Sequence, residues 1–296
     1  MKFAQANMSA RQHFEPLPEM DDRQFRQWVK LLEKRIGTSL PPERKSFLVT
    51  NIGLRMREIG CRDYQQYYDK IHSGVDGMHE WCTLVDRLTV HETRFFRHPA
   101  SLELVGEYVS RKPVDSRSGN ISIHAWSVAC ATGEEAYSMA MVIDRCLQER
   151  HEPGFFGVTA TDISPGSLQT ARAGVYTSRR VAQLDESMIF DYFEPVEKQK
   201  YRVREYLRKR VCFARMNILD IANEPLGEMD IIYCQNLLIY FDRDARESIV
   251  NNMARHLLPG GILILGSGEI LSWEHPQMQK IGKGNTLAYR RLGEVG

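Results

Sequence analysis

The sequence lacks the cysteine and histidine patterns of a disulfide framework or a metal site. Its six cysteines are scattered without a C-x-x-C pair, and its nine histidines include no H-E-x-x-H motif. Isolated cysteines of this kind are usually reduced and buried as small hydrophobic residues. We therefore expect no metal ion in this protein.

Long apolar runs are also missing. No segment approaches the roughly 18 apolar residues of a membrane span, and the first residues carry no apolar stretch of a secretory signal. A content of 43% hydrophobic and 26% charged residues is typical of a soluble globular protein. The net charge of +1 argues against a general nucleic-acid binder. These features predict a cytoplasmic protein with neither membrane insertion nor a nucleic-acid partner.

The first ninety residues show helical periodicity alone. After a proline-containing segment over residues 1–20, in which we expect no regular structure, apolar residues recur at helical spacing from Phe25 to Ile36. Gly37 then ends the run. Further helices are predicted at about 41–60, 64–72 and 78–90. Residues 1–90 are therefore predicted to form an all-α domain.

Basic residues gather on one side of the second predicted helix, at Arg44, Lys45, Arg55 and Arg57. One interpretation is an ordinary solvated helix face. The other is a docking surface for an acidic partner, because clustered charge of one sign steers association.

Strands and helices alternate from Ile121 onward, after a connecting segment over residues 91–120. Alternation of this kind is typical of a mainly parallel sheet covered on both faces, so 121–296 is predicted to be an α/β domain. A period of two near 194–210 favours a small antiparallel insertion, with a helix as the alternative. We predict strands at about 121–128, 155–161, 211–214, 229–234, 261–266 and 286–291, and helices at about 134–150, 165–172, 185–193 and 243–257.

Polar residues follow several of the predicted strands. Small residues over 129–133 come after the first strand and leave room for a ligand, although an ordinary strand-to-helix turn has the same composition. Asp162 ends the second strand, where nucleoside binders keep a carboxylate for ribose hydroxyls, and it could equally cap the next helix. Because the carboxyl ends of parallel strands share one edge, we expect Asn217, Asn236 and Tyr240 to lie there too.

Four motifs occur in order at Thr93–Arg97, Trp126–Ser138, Ala160–Ile163 and Asn236–Asp242. With them the chain resembles the CheR-type chemoreceptor glutamate methyltransferases from about residue 20 to 291. The resemblance implies a Rossmann-like class I methyltransferase sheet, an N-terminal all-α domain and a small antiparallel β insertion. It also implies S-adenosylmethionine (SAM) as cofactor and S-adenosylhomocysteine (SAH) as product.

The resemblance places Arg97 and Tyr240 nearest the reacting methyl group. His91 and Gln235 stand where the family pattern has Asn and Arg. The cofactor-binding residues that it implies are His91, Thr93, Arg97, Glu135, Asp162, Asn217, Ile218, Gln235 and Asn236.

The implied reaction is methyl esterification of glutamate side chains on chemoreceptors, which adapts receptor signalling. The helical domain would dock on the cytoplasmic helical bundle of a receptor, and in some relatives the β insertion also holds a receptor C-terminal peptide. We expect a monomer. Two other hypotheses stay open: a SAM- or SAH-sensing scaffold module without turnover, and a class I methyltransferase with another acceptor.

Overall fold

The computed structural model describes residues 19–282 and 284–293, so most of the predicted irregular segment over 1–20 lies outside the described residues. The chain forms two compact units. Among the described residues, one comprises 19–28 with Pro41–Leu84, and the other comprises Val29–Leu40 with 85–282 and 284–293. No helix within the described residues combines the length and the apolar character of a membrane span.

The first unit is helical, as its periodicity predicts. Gly60 ends the second helix with a φ of 73°, and the Asp63 side chain caps the third helix by accepting from the Gln66 N–H. The fourth helix begins at Gly74, earlier than predicted, and it includes Gly77, where a Cβ would lie 2.6 Å from the Lys70 carbonyl oxygen. The helices are α1 (Asp22–Ile36), α2 (Lys45–Ile59, after a 3-10 turn at Pro42–Arg44), α3 (Tyr64–Lys70) and α4 (Gly74–Leu88), of which α1 and α4 continue into the second unit.

A buried carboxylate links the helices of the first unit. Glu80 is 6% exposed, and it accepts two hydrogen bonds from Arg55, each 2.7 Å long, and one from the Tyr67 hydroxyl at 2.8 Å. Burial alone would raise the pKa of Glu80, but these hydrogen bonds lower it below the ordinary value. The ion pair therefore neutralises a charge that the interior would otherwise leave unpaired.

Arg55→Ala is expected to lower the free energy of unfolding by about 2 kcal/mol, because Glu80 would stay buried without its charged partner. Urea denaturation of the full chain measures this. Lys45→Ala is the matched control, since Lys45 pairs with an Asp22 side chain that is 79% exposed and exposed pairs contribute less than about 1 kcal/mol. Equal effects of the two substitutions would contradict a structural role for the buried pair.

The second unit is an α/β fold around a seven-stranded sheet in the order β6-β2-β1-β7-β8-β10-β9. The strands from β6 to β8 are parallel to one another, and β10 runs antiparallel to β8 and β9. The strands are β1 (Ile121–Val128), β2 (Gly154–Asp162), β3 (Val175–Thr177), β4 (Phe193–Glu197), β5 (Lys200–Val203), β6 (Val211–Arg215), β7 (Met229–Cys234), β8 (Leu257–Leu265), β9 (Met278–Lys280) and β10 (Leu287–Arg291).

Apolar side chains alternate between the two faces of this sheet. In β7, for example, Ile231 and Tyr233 pack in the cluster on one face and Ile232 and Cys234 in the cluster on the other. Because both faces are buried, the strands read as continuous apolar runs. The helices of this unit are α5 (Pro99–Arg111), α6 (Glu134–Arg150), α7 (Pro165–Ala173), α8 (Ser178–Val181), α9 (Glu186–Tyr192), α10 (Glu205–Arg208) and α11 (Arg243–Arg255).

Two local predictions are wrong in this unit. The last long helix and the strand after it are predicted at about 243–257 and 261–266, but residues 257–265 form β8, with a bulge opposite Met229 and Ile231. Gly261 fits there because a Cβ would lie 3.0 Å from the Asp230 carbonyl oxygen. The short strands β3 and β9 were not predicted, because three residues are too few to display a period.

The predicted antiparallel insertion is confirmed as a three-stranded sheet in the order β3-β5-β4. The period of two holds through β5 and then fails, because Glu205–Arg208 forms the helical turn α10. Both alternatives left open by the sequence therefore occur, one in each half of the segment.

Candidate cofactor and active site

The site lies at the carboxyl edge of the sheet, where β1 and β7 are neighbours. The connection after β1 leads to β2 on one side, whereas the connection after β7 leads to β8 on the other side. The two connections therefore run in opposite directions. A crevice forms at such a switch point, and ligands of open α/β sheets bind there. The loops after β1, β2, β6 and β7 carry most of the predicted site residues.

The loop after β1 has a strained backbone. Ala129, Ala131 and Gly133 have φ angles of 57°, 47° and 94°, which L-residues other than glycine rarely adopt. A Cβ on Gly133 would lie 2.8 Å from the Ala171 Cβ and 3.1 Å from the Tyr176 hydroxyl. The lack of a side chain at Gly133 is therefore required by packing against α7 and Tyr176, whatever room the loop leaves for a ligand.

Gly133→Ala is expected to lower the free energy of unfolding by about 2 kcal/mol, from the positive φ and the clash with α7. Gly157→Ala is the control, because no atom lies within 4 Å of its added Cβ and its φ is not positive. Thermal unfolding of both variants compares them. A Gly133→Ala variant as stable as the Gly157→Ala variant would contradict the packing argument.

Glu135 lies in the first turn of α6 and is half-buried. The Ser127 hydroxyl donates to its Oε1 at 2.8 Å. Burial raises the pKa of Glu135 to about 8; the charges of Glu269 and Asp162 act in the same direction, whereas Ser127 and the charge of Arg97 act against it. A carboxyl group in this setting favours a positively charged ligand, since a cation would restore its ionised form.

Asp162 ends β2 and is 7% exposed. Its Oδ2 accepts from the Ala131 N–H and its Oδ1 from the Ser164 N–H, both at 2.8 Å. The cap of α7 is the Ser164 side chain, so the alternative in which Asp162 caps that helix is wrong. Each carboxylate oxygen keeps a lone pair for a ligand, which suits hydroxyl donors such as those of a ribose.

Arg97 lies in the segment before α5 and is 29% exposed. Its Nη1 donates to the Glu92 carbonyl oxygen at 2.5 Å, and its charge acts on Glu135. Thr93, in the same segment, is half-buried. Phe96, next to Arg97, has a φ of 50° and donates its N–H to the Ser138 hydroxyl at 3.0 Å, which fixes the segment to α6.

His91 binds protein groups on both ring nitrogens. Its Nε2 lies 2.8 Å from the Asp86 carbonyl oxygen, and its Nδ1 lies 3.0 Å from the Ser167 hydroxyl in α7. The ring therefore joins the end of α4 to the beginning of α7. The interaction with His91 is among the effects that oppose the burial-driven rise of the Asp162 pKa.

Asn217 and Ile218 follow β6. The Asn217 side chain accepts from the Leu219 N–H at 3.3 Å and donates to the Arg35 carbonyl oxygen at 2.8 Å, while Ile218 is buried. Because the Asn217 amide already has protein partners at both ends, the backbone of this turn is the part that a cofactor could contact.

Gln235, Asn236 and Tyr240 follow β7. Gln235 is 7% exposed, and its Nε2 has no hydrogen-bond partner among the described residues. Asn236 has a φ of 58° and accepts from His98 Nε2 at 2.9 Å. Tyr240 ends a 3-10 turn and is half-buried. An orphaned buried donor beside a strained turn fits a site that binds a polar cofactor.

Sequence reasoning missed Glu269 in the loop after β8. It is 2% exposed, and its Oε1 has no hydrogen-bond partner within the described part of the chain. Burial raises its pKa to about 7, while backbone N–H groups, first that of Gly266, act to lower it. The sequence contains the same signal that indicated Asp162, namely an acidic residue at or shortly after the end of a buried strand.

The four basic residues predicted to dock a partner belong to the helical unit. Arg55 binds Glu80 and Glu58, and Lys45 binds Asp22, so these two have intramolecular acidic partners. The Arg44 guanidinium lies 5.7 Å from the centre of the Phe47 ring, and Arg57 lies in the last turn of α2.

A sheet of this order with acidic side chains at its carboxyl edge has the architecture of a Rossmann-like class I methyltransferase. Residues 91–287 match the family described as "CheR methyltransferase, SAM binding domain" and residues 23–89 match "CheR methyltransferase, all-alpha domain". The chain belongs to the CheR methyltransferase family, and it uses SAM as methyl donor with SAH as the product.

Three similar relatives span nearly the same length. The chain is 30% identical to the "Chemotaxis protein methyltransferase" of Escherichia coli over 90% of this chain and 91% of the relative. It is 31% identical to that of Klebsiella aerogenes over 86% and 85% of the two chains. It is 30% identical to "Chemotaxis protein methyltransferase 1" of Pseudomonas aeruginosa over 88% and 94%.

Proposed function

We propose that this protein transfers the methyl group of SAM to glutamate side chains of chemoreceptors and thereby forms methyl esters that adapt receptor signalling. The observation that carries the proposal is the convergence of Arg97, Glu135 and Asp162 at the carboxyl edge of a methyltransferase sheet. The names of the chain's relatives support chemotaxis as the setting.

The acceptor needs little acid–base help. When bound, SAM supplies a methyl group on a positively charged sulfur. A carboxylate oxygen can attack this methyl carbon and displace the sulfur. A glutamate side chain has a pKa of about 4.3 and is already ionised at neutral pH, so no metal ion or strong base is required. The work left to the protein is alignment and exclusion of water, an effect that reaches roughly 7–11 kcal/mol in well-oriented systems.

Each site residue has a role in this proposal. Arg97 binds a carboxylate of the acceptor or of the cofactor with its two-pronged donor set. Glu135 binds the cofactor's cationic amino group, and Asp162 accepts from the ribose hydroxyls. Tyr240 positions the methyl group by its hydroxyl. His91, Thr93, Asn217, Ile218, Gln235 and Asn236 complete the cofactor-binding set that we propose.

Recognition of the receptor is the second part of the proposal. The domain over 1–90 docks on the cytoplasmic helical bundle of the receptor through Arg44, Lys45, Arg55 and Arg57, of which Lys45 and Arg55 also pair with acidic residues of the domain. The small β-sheet is the candidate site for a receptor C-terminal peptide. We place the protein in the cytoplasm as a monomer with neither membrane insertion nor a nucleic-acid partner.

The test is transfer of a radiolabelled methyl group to a panel of chemoreceptor cytoplasmic domains, followed by mild base. Base-labile label on receptor supports the proposal, because glutamate methyl esters hydrolyse under base. Label that resists base, or that appears on another acceptor, would establish a different class I reaction. Binding of SAM and SAH without any transfer would favour the scaffold module.

A further inference from the structure

Glu269 is a buried carboxylate that the assigned roles leave unused. It follows β8 and is 2% exposed. Its Oε2 accepts from the Gly266 N–H at 3.0 Å, and its Oε1 has no hydrogen-bond partner among residues 19–282 and 284–293. Buried carboxylate oxygens are nearly always hydrogen-bonded. Besides Gly266, backbone N–H groups of the turn at 237–240 lower the pKa of this carboxyl group, and Oε1 keeps room for a further donor.

The position of Glu269 places this unpaired oxygen at the cofactor edge. In the sheet, Cys234 of β7 is level with Leu265 of β8, and the Gly266 N–H donates to the Cys234 carbonyl oxygen at 3.1 Å. The loop that holds Glu269 therefore begins beside Gln235, whose Nε2 also lacks a partner within the described residues. A buried acceptor and a buried donor are thus both left unpaired at one end of two neighbouring strands.

Glu269 also holds the segment that leads to Tyr240. Hydrogen bonding from the backbone N–H groups of Leu237, Leu238 and Ile239 lowers the pKa of its carboxyl group. Arg246 ties the same two loops together, because its Nη1 donates to the Glu269 carbonyl oxygen at 3.0 Å and its Nε to the Phe241 carbonyl oxygen at 2.8 Å. The orientation of the turn at 237–240 therefore depends on the loop after β8.

The charge around this carboxylate favours a cation. Glu135 and Asp162 are two further carboxyl groups at the edge, where Glu134 is paired with Arg180, and Arg97 is the cation whose charge acts on Glu135. The charge of Glu269 acts on Glu135 in the same direction as that of Asp162. Three acids beside one arginine suit a ligand that carries positive charge at two points, as SAM does with its sulfonium and its ammonium. SAH has lost the sulfonium charge.

We propose that Glu269 is a positioning residue of the cofactor site, which orients the turn bearing Tyr240 and whose carboxylate attracts the sulfonium form of the cofactor more strongly than the neutral thioether product. The inference rests on SAM as the cofactor and is independent of which acceptor receives the methyl group.

The test compares the affinities of Glu269→Gln for SAM and for SAH by calorimetry on the full chain at pH 8, where the carboxylate is largely ionised. The dissociation constant for SAM is expected to rise about tenfold and that for SAH less than about threefold, because a charge is lost and the shape is kept. Glu274→Gln, an exposed acid in the same stretch, is the matched control and should leave both constants unchanged.

Glu269→Asp keeps the charge and is expected to keep the wild-type ratio of the two constants even if both affinities fall, and it serves as the test if Glu269→Gln does not fold. Equal losses for SAM and SAH in Glu269→Gln, or a changed ratio in Glu269→Asp, would overturn the proposal. These measurements do not use a receptor, so absence of receptor methylation would count against the proposed function and not against this inference.

Discussion

Arg97→Ala is expected to lower kcat/KM for methyl transfer about 10³-fold, or about 4 kcal/mol, because in the proposed function Arg97 is a preorganised charged donor to a carboxylate of the acceptor or the cofactor. The Arg97 guanidinium is held in place by the Glu92 carbonyl oxygen and lies near Glu135. A mobile surface arginine would bind a carboxylate less tightly, because ordering its side chain costs conformational entropy. Initial rates of radiolabel transfer to a receptor domain measure the effect.

Two variants define what the Arg97 result means. Arg94→Ala removes an exposed arginine of the same segment and is expected to change kcat/KM less than about twofold. Tyr240→Phe should keep the affinity for SAM, measured by calorimetry, and lose rate to a smaller extent than Arg97→Ala. Near-wild-type turnover of Arg97→Ala would remove Arg97 from the active site.

Glu135→Gln is expected to weaken SAM binding about 100-fold at pH 8.5, close to 2.7 kcal/mol, because the amide cannot pair with the cofactor's cationic amino group. The pKa of Glu135 is raised to about 8, so the group is largely protonated at pH 7 when no ligand is bound. A cation favours the ionised form. The affinity for SAM should therefore rise as pH increases from 6 to 9, with release of a proton at pH 7.

The pH profile separates Glu135 from its neighbours. Glu269, with a pKa of about 7, and Asp162, whose pKa is also raised by burial, contribute their own steps. Glu135→Gln should lose the step near pH 8 and keep the lower ones. Calorimetry in two buffers of different ionisation enthalpy counts the protons released, and an unchanged proton count in Glu135→Gln would contradict the assignment.

The same carboxyl group has the opposite effect on the stability of the unliganded protein. Its pKa in the folded chain, about 8, is higher than in the unfolded chain. Stability from its protonated form is complete below the unfolded pKa of about 4.3 and is lost as pH rises through the folded pKa. Glu135→Gln should therefore unfold at a higher temperature than the wild type at pH 8.5 while it binds SAM less well, a trade between stability and function.

The parts of the fold that sequence could predict are those with a repeating physical signal. Helix α6 and strand β1 have the predicted bounds because a long periodic run and a long apolar run leave little choice. The edge strand β9 has three residues and no apolar period, so its place depends on pairing with β10. Residues 259–261 lie within β8 because β7 pairs with this strand on both sides of the bulge. The local sequence does not indicate that pairing.

The candidate site divides in the same way. Acids at strand ends could be predicted from position alone, and Glu269 could have been found by that rule. Which of two possible roles a residue has could not be predicted from its position. Ser164 caps α7 and leaves Asp162 to the loop after β1, and Glu80 occupies the Arg55 guanidinium that the sequence assigned to a surface. Such choices depend on residues far away in the chain.

The pairing at the centre of the sheet has a consequence for synthesis on the ribosome. Ala125 of β1 pairs with Ile231 of β7, so β1 gains one of its two neighbouring strands only after most of the polypeptide has been translated. Pairing over such a sequence separation makes folding slow and leaves an apolar strand uncovered in the meantime. The helices over 45–88 are local and can fold while translation continues. A truncated chain that stops before Met229 would therefore leave one edge of β1 unpaired.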